Sequence, residues 1–588
     1  MQPAQWSVDR SSVIEYILKD GRSQLRVGRV TISQTTFLIV TAVIVGIGGG
    51  FGAVAFRALI SAETYLAFNI IGAALGRVFG VLAIVIQLAM GGVIAAWIAS
   101  TFAPEAKGHG VPEVMEAVAL RGGQMRPRVI AIKALASATS IGFGGSCGRE
   151  GPIVQIGSTI GSVLGQLVRA PAPIVRTLVA CGAAAGISAT FNAPIGGVFF
   201  AAEVILGEFA PRSFAAIVVS SVLAAVIGRA FLGNTPSFSA SGFELVSPYE
   251  LVLYAILGVI AAVWATGFVR MLYLIEDRFE AFKIPPWVKG GIGFALVGVI
   301  GIWIPQIFGV GYVSMQQVLD EHVGVGRALA LAVAKPLATS LTLGSGGSGG
   351  IFAPSLFTGA FLGDAFGRFV HLIFPAWTAP GAAYGLVGMA ALFAAAAEAP
   401  MTAILIVFEM SNDYRIILPL MVCVVIATVV GRRLLGSTVY EMKLIRRGVD
   451  WQRVRRPRFL SRVKIATIAR NAPVIAQLHD LIEDIVARDG EAGELAVPVC
   501  NNQRFVGIVT SSDLAIALAE GKGAQRISSI VHTMEHVLEP DDTVERAATL
   551  MADAPVPLLP VVDPHDRHLL GIVTRRDVLQ AYRSLADV

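Results

Sequence analysis

The chain has 588 residues, 55% of them hydrophobic and only 15% charged, with a mean hydropathy of +0.69. Soluble domains carry about 25% charged residues, so an ordinary soluble protein is excluded. The formal net charge of +5 comes from basic segments flanking the apolar ones and calls for anionic lipid as a partner, with no nucleic acid.

Residues 1–30 hold Arg10, Lys19, Arg22, Arg26 and Arg29 without an apolar core and small-residue cleavage site, so no signal peptide is read there and the N-terminus is expected in the cytoplasm. Four uncharged stretches, Val30 to Phe56, Val78 to Pro104, Leu251 to Val269 and Ile416 to Gly431, can each cross a hydrocarbon core of about 30 Å as a helix. Between them, Gly142 to Gly157 and Gly344 to Phe357 crowd Gly and Pro into sequence of membrane depth. That composition predicts broken or re-entrant helices. Beyond the last apolar stretch come Arg432, Arg433, Lys443, Arg446, Arg447, Arg453, Arg455, Arg456 and Arg458, which places the C-terminal side in the cytoplasm as well and implies an even number of crossings. Cys147, Cys181, Cys423 and Cys500 form no disulfide or metal-ligand pattern.

The membrane region repeats itself. Lys133 lies 19 residues before Pro152 (152 − 133), as Lys335 does before Pro354 (354 − 335), and each interval closes in a Gly-rich loop, GFGGSCGREGP and GSGGSGGIFAP. Farther on, Asn192-Ala193-Pro194 precedes Glu203 by nine positions from the proline, and Glu398-Ala399-Pro400 precedes Glu409 by the same nine. Four landmarks in one order, offset by 202 residues (354 − 152) and then 206 (400 − 194), argue for duplication. In membranes such repeats are often inverted, with broken helices meeting near the midplane to build an ion site. Helix N-termini offer unpaired N–H groups and a partial positive charge, so their convergence favours an anion, and Gly allows the backbone to approach it.

Three loops have the form such a site needs. GREGP, Gly148 to Pro152, carries Arg149 and Glu150 at membrane depth, where an ionisable residue is costly and a functional candidate, with a structural ion pair as the plainer reading. A glutamate at a helix N-terminus is an intramolecular anion that can occupy the site and leave it when protonated. GHGVPEV, Gly108 to Val114, and GIFAP, Gly350 to Pro354, are further Gly-to-Pro turns into helices. The amides of Ile351 and Phe352 could face an ion, or the loop could merely initiate a helix.

In this order and spacing the three loops resemble the signature of the CLC family of chloride channels and chloride/proton antiporters, over about Thr31 to Leu444. The resemblance implies a polytopic α-helical domain with an inverted repeat, residues 31–444, a homodimer with one pathway per subunit, and chloride as the transported ion. It implies anion contacts from Arg149, Glu150, Ile351 and Phe352, gating by Glu150, and a phenol at Tyr440, in the turn Val439-Tyr440, donating to the anion. Two positions depart from the family pattern. His109 stands where the first loop most often has a serine; a neutral imidazole can still donate one hydrogen bond, and a charged one attracts anions. Proton-moving members have two adjacent acids after the Asn-Ala-Pro loop, whereas this chain reads Glu203-Val204, with Val204 at the inner proton position. An anion channel with weak or no proton coupling is therefore expected, with antiport as the alternative.

After a basic linker, residues 445–460, Gly507 to Asp513 (GIVTSSD) recurs 64 residues later (571 − 507) as Gly571 to Asp577 (GIVTRRD). Each follows a strand pattern and precedes a helical one, which resembles a tandem α+β CBS pair over 461–588. That resemblance implies an adenine nucleotide at Thr510, Asp513, Thr574 and Asp577, while Asp513 and Asp577 also suit helix N-caps. No cofactor is required for transport. Some membrane proteases also carry CBS modules, and Ser345 or Ser348 in GSGGSGG looks superficially nucleophilic. The chain nevertheless has no H-E-x-x-H or G-x-S-x-G, which leaves an intramembrane hydrolase as a remote alternative and no enzyme expected. A divalent-cation transporter would need clustered carboxylates, where these loops offer N–H donors.

Overall fold

The first apolar stretch does not begin as a helix. In the computed structural model, which describes residues 14–19, 22–27, 30–234, 238, 245–449, 463–492, 496–534, 536–553 and 558–586, Val30–Ser33 is a strand, β3. It closes an antiparallel sheet with β1 (Ile14–Lys19) and β2 (Arg22–Val27), Ile14 pairing with Val27 and Val27 with Val30. Ser33 then accepts the Thr36 amide at 3.1 Å and caps α1, Gln34–Thr64, because its side-chain oxygen satisfies a donor that the first helical turn leaves free. The second predicted span is broken at Gly80, where φ is +58°.

Nine helices are described in the first half: α1, α2 (Ala73–Phe79), α3 (Ala83–Phe102), α4 (Val111–Leu120), α5 (Val129–Gly142), α6 (Glu150–Leu167), α7 (Ala172–Phe191), α8 (Pro194–Phe200) and α9 (Pro211–Leu232). The second half has α10 (Glu250–Ala281), α11 (Pro286–Trp303), α12 (Tyr312–Leu319), α13 (Val325–Gly344), α14 (Phe352–Ile373), α15 (Gly381–Ala397), α16 (Pro400–Ser411), α17 (Ile417–Leu435) and α18 (Val439–Arg446). The repeated landmarks set α3 to α9 against α11 to α17 in order. The packing follows the same rule: α6 lies on α7 as α14 lies on α15, while the counterparts α3 and α11, and α8 and α16, pack on each other as an internal two-fold relation requires.

Close backbone approach holds these layers together. A Cβ on Gly157 would stand 2.2 Å from the Gly182 oxygen, and in the other half one on Gly359 would stand 2.2 Å from the Gly388 oxygen. Small residues are what helices use to pack where lipid removes the hydrophobic drive between them. Outward-facing apolar side chains such as Val40, Ile44 and Phe51 are exposed while Ala42, Val45 and Ala53 of the same helix are buried, the pattern of a helix apolar all round. Among the described residues, seven helical stretches are long and apolar enough to cross a membrane, and four shorter apolar helices, including α5 and α15, accompany them. The chain is an integral membrane protein.

Contacts divide the chain into residues 1–454 and 455–588. In the second unit, β4 (Ala476–Gln477), β5 (Ala496–Asn501), β6 (Arg504–Thr510) and β7 (His532–Thr533) form one sheet, and β8 (Leu558–Val562) with β9 (Leu569–Thr574) another. Val499 pairs with Gly507 and Val561 with Gly571, each followed by a register shift, so the 64-residue sequence echo is also an echo of strand register. Separate apolar clusters fill the two repeats, one around Ile482, Val499 and Leu514, the other around Val544, Leu559 and Val573.

Candidate functional site

The three Gly loops are bonded to one another. Gly148 and Gly350 exchange N–H···O bonds of 2.7 Å in both directions, and the Gly108 and Gly349 amides donate at 3.2 Å to the Gly347 and Gly108 carbonyls respectively. Side chains have no room here: a Cβ on Gly151 would lie 2.0 Å from the His109 oxygen, and one on Gly350 2.8 Å from the Gly151 nitrogen. Two exchanged hydroxyl contacts reinforce the junction, Ser348 N to Ser140 Oγ and Ser146 N to Thr342 Oγ1, both 3.0 Å.

The repeated lysines explain themselves at this point. Lys133 Nζ donates to the Ala106 and Gly108 carbonyls at 2.9 and 2.8 Å, and Lys335 Nζ to the Ile307 and Gly309 carbonyls at 2.8 and 2.7 Å. Both side chains are fully buried. Each amine gathers two loop carbonyls, of which Ala106 O also accepts from Ser348 Oγ and Gly108 O from the Gly349 amide, and so fixes the loop that leads into α4 in one half and α12 in the other.

The N-terminal ends of α4, α6 and α14 thereby meet at one cavity lined by His109, Glu150, Ile351, Phe352 and Tyr440, with Val111, Ile187 and Phe200 behind them. The space left between these side chains is too narrow to hold a water molecule. Glu150, the first residue of α6, is buried. Its Oε1 accepts a bond of 2.9 Å from the Tyr312 hydroxyl. The N–H groups of Glu150 itself and Ala353 are turned toward the carboxylate, yet Oε2 has no partner in hydrogen-bond geometry among the described residues. His109 Nδ1 is likewise buried and unpartnered there, its ring edge-on to Tyr273 at 6.3 Å. A buried imidazole nitrogen and a buried carboxylate at converging helix N-termini are groups of the kind that a small anion could meet or replace.

Five of the expected anion residues thus come together, and Arg149 stands apart from them. It does not line the cavity; its guanidinium lies 4.9 Å from the centroid of the Tyr312 ring. Tyr440 reaches the cavity from α18 and not from a turn, since Thr438 and Glu441 form a reciprocal cap at 3.0 Å each way that starts the helix at Val439. Val439 O accepts from the Tyr273 hydroxyl, and Lys443, Arg446 and Arg447 pair with Glu276, Asp277 and Glu113, which fastens the helix to α10 and α4.

Glu203 and Val204 lie in a π-helical turn, Ala201–Leu206, outside the cavity. Glu203 accepts from Met401 N at 3.3 Å, Thr402 N at 2.8 Å and Thr402 Oγ1 at 2.6 Å, while Glu409 accepts from Ile195 N and Gly196 N at 2.9 and 2.7 Å. Each carboxylate caps the other half's helix at its second and third residues, where a negative charge meets the free amides and the helix dipole. In the second unit Thr510, not Asp513, is the N-cap: Asp513 N donates to Thr510 Oγ1 at 3.1 Å and Thr510 N to Asp513 Oδ2 at 3.0 Å. Thr574 and Asp577 repeat the pattern. Burial pushes the Asp513 carboxyl up, but its bonds from Thr510 and its contact with His532 outweigh burial and hold it below the usual range.

Sequence reasoning missed Tyr312 and the loop before it. Gly309-Val310-Gly311-Tyr312 is the counterpart of Gly108-His109-Gly110-Val111, with Gly309 and Gly311 at φ of +58° and +92° like Gly108 and Gly110 at +77° and +84°. The 201-residue offset (312 − 111) was the available signal, but this copy lacks the proline that marks the other three loops.

Comparison with known proteins bears on the family and the fold. Residues 91–432 match the family described as voltage gated chloride channel, and 462–520 and 527–584 each match the CBS domain. The chain is 34% identical over 349 residues to a chloride channel protein described as ClcB-like from Ralstonia nicotianae, covering 59% of this chain and 81% of that one. It is 30% identical over 448 residues to the H(+)/Cl(-) exchange transporter ClcA of Vibrio parahaemolyticus, covering 74% and 94%. Among solved structures, a slow cyanobacterial Cl-/H+ antiporter superposes with a TM-score of 0.64 at 27% identity over 70% of this chain and 97% of that one. A eukaryotic CLC transporter, 20% identical, shares the fold over 93% of this chain and 99% of that one, with a TM-score of 0.61.

Proposed function

The chain belongs to the CLC family of chloride channels and transporters, and on that premise we propose that it is an anion channel in which Glu150 gates a chloride pathway with weak or no proton coupling. The observation that carries this reading is the cavity where His109, Ile351, Phe352 and Tyr440 surround the Glu150 carboxylate. The carboxylate occupies the place of the anion; protonation or displacement vacates it, and helix-terminal N–H groups then face the ion. Arg149 contributes charge from beside the Tyr312 ring rather than direct coordination. Absence of coupling is supported by Glu203, whose two oxygens are committed to Met401 and Thr402, and by the apolar Val204 beside it. Antiport is the second reading, favoured by the relatives named as exchange transporters.

The same proposal takes residues 31–444 as the conducting domain, 461–588 as the CBS pair, both termini as cytoplasmic, and the assembly as a homodimer. Thr510, Asp513, Thr574 and Asp577 are the proposed adenine nucleotide contacts. They are joined pairwise in helix caps, so nucleotide would compete with the caps for the same oxygens.

Purified protein in vesicles is expected to dissipate chloride and nitrate gradients and not potassium gradients; potassium flux would reject the anion pathway. His109→Ser is expected to change the chloride-to-nitrate-to-fluoride permeability ratios, because a short hydroxyl donor replaces a bulkier imidazole and leaves the cavity wider. Identical ratios in the two proteins would reduce His109 to a wall of the cavity.

A further inference from the structure

Tyr312 is the one side chain that donates a hydrogen bond to the Glu150 carboxylate among the described residues, 2.9 Å from hydroxyl to Oε1. Its position is built from several directions. Lys335 fixes the Ile307 and Gly309 carbonyls, and Gly311 in the left-handed region turns the chain so that Tyr312 begins α12. The ring is then held on its sides by the Arg149 guanidinium at 4.9 Å, by Phe238 at 5.8 Å between centroids and by Phe191 at 6.5 Å. Phe191 in turn lies 5.1 Å from Phe352, a wall of the anion cavity. A phenol so confined has little freedom to swing away, which lowers the entropy cost of the bond it makes.

We infer that Tyr312 is a positioning residue for the gate: its hydroxyl latches the Glu150 carboxylate across the pathway, so that release of the carboxylate requires this bond to break. The inference rests on the reading of Glu150 as the gate. A hydrogen bond to the charged form of a carboxyl group favours that form, so the latch opposes both departure of the carboxylate and its protonation, and the two effects act in the same direction on flux. Other charged or titratable groups face Glu150 as well: Arg149 from its own helix terminus, Cys147 from the preceding loop, Lys335 from α13 and Tyr440 from α18. Arg57 of α1 faces Arg149 and the phenol. None of these donates to the carboxylate in hydrogen-bond geometry. Removal of the Tyr312 hydroxyl therefore takes away its bond to the carboxylate and its polar contact with Arg149, and leaves the surrounding charges in place.

The test is chloride efflux from proteoliposomes of the full-length protein between pH 4.5 and 8 for the wild type, Tyr312→Phe, Glu150→Gln and the double variant. Tyr312→Phe keeps the ring against Arg149, Phe191 and Phe238; Tyr312→Met, which also lacks the hydroxyl, replaces it if it is unstable. The expected result is that loss of the hydroxyl raises chloride flux at neutral pH and moves the midpoint of the pH profile up by roughly one unit, the effect of one charge-assisted hydrogen bond. Adding the substitution to Glu150→Gln should change nothing further. If Glu150→Gln flattens the pH profile while Tyr312→Phe superimposes on the wild type, the gate stands and the latch is overturned. An equal change in flux in both backgrounds overturns it too, by assigning Tyr312 to packing alone. If Glu150→Gln keeps the wild-type profile, the gate itself fails, and the latch with it.

Discussion

Glu150→Gln is expected to give chloride flux at pH 7.5 about tenfold or more above the wild type and level across the acid range, where wild-type flux should climb as pH falls. The amide has the shape of the carboxyl group but no charge, so it competes poorly with an anion for helix-terminal N–H groups. Hydrogen bonds to a charged group are worth about 1.5 to 3 kcal/mol against about 1 for a neutral one, and a difference of 1.4 kcal/mol is a factor of ten in occupancy. The carboxylate leaves Oε2 unpartnered in a cavity too narrow for water, which makes its departure the step that opens space. Flux with an unchanged pH profile in this variant would remove Glu150 from the gate.

The second large effect is expected at Lys133, far less conspicuous in the sequence than the glutamate. Lys133→Met fills a similar volume but takes the charged donor from the Ala106 and Gly108 carbonyls, which keep only Ser348 Oγ and the Gly349 amide, inside a region where the side chain is fully buried. Two such bonds put the loss at about 3 kcal/mol or more. The damage falls on the loop that carries His109. A lowered melting temperature in detergent and a fall in chloride flux at every pH are both expected, and Lys335→Met should do at least as much because it takes the amine from the Ile307 and Gly309 carbonyls. Wild-type stability and flux in either variant would show that the carbonyls find other partners and that the lysine repeat has no such role.

Much of this was legible before the structure. The Gly-to-Pro loops announce helix N-termini through residue chemistry alone, and the Lys-to-Pro spacing of 19 carries the duplication; the structure places both lysines in equivalent bonds. The reciprocal caps of Glu203 and Glu409 were not legible, because each meets amides some 200 residues away in the other half. Local pattern could not distinguish an inner proton acceptor from a cap. Val30 to Ser33, four apolar and hydroxyl residues, read equally as strand or as the start of the first span, and only pairing with β2 decides it. The turn that the resemblance implies at Tyr440 is a helix start, of which the glutamate three residues after Thr438 is the sign in the sequence.

The central claim is that anions move through this protein without obligatory proton exchange, and proton flux tests it most directly. Proteoliposomes holding the full-length chain are given an outward chloride gradient, with potassium and valinomycin fixing the membrane potential, and internal pH is followed. With Glu203 committed to the α16 terminus and Val204 apolar, the account predicts anion current whose reversal follows the chloride gradient alone, with no uphill proton movement. Protons driven uphill at a fixed ratio to chloride would contradict it and make this protein an antiporter.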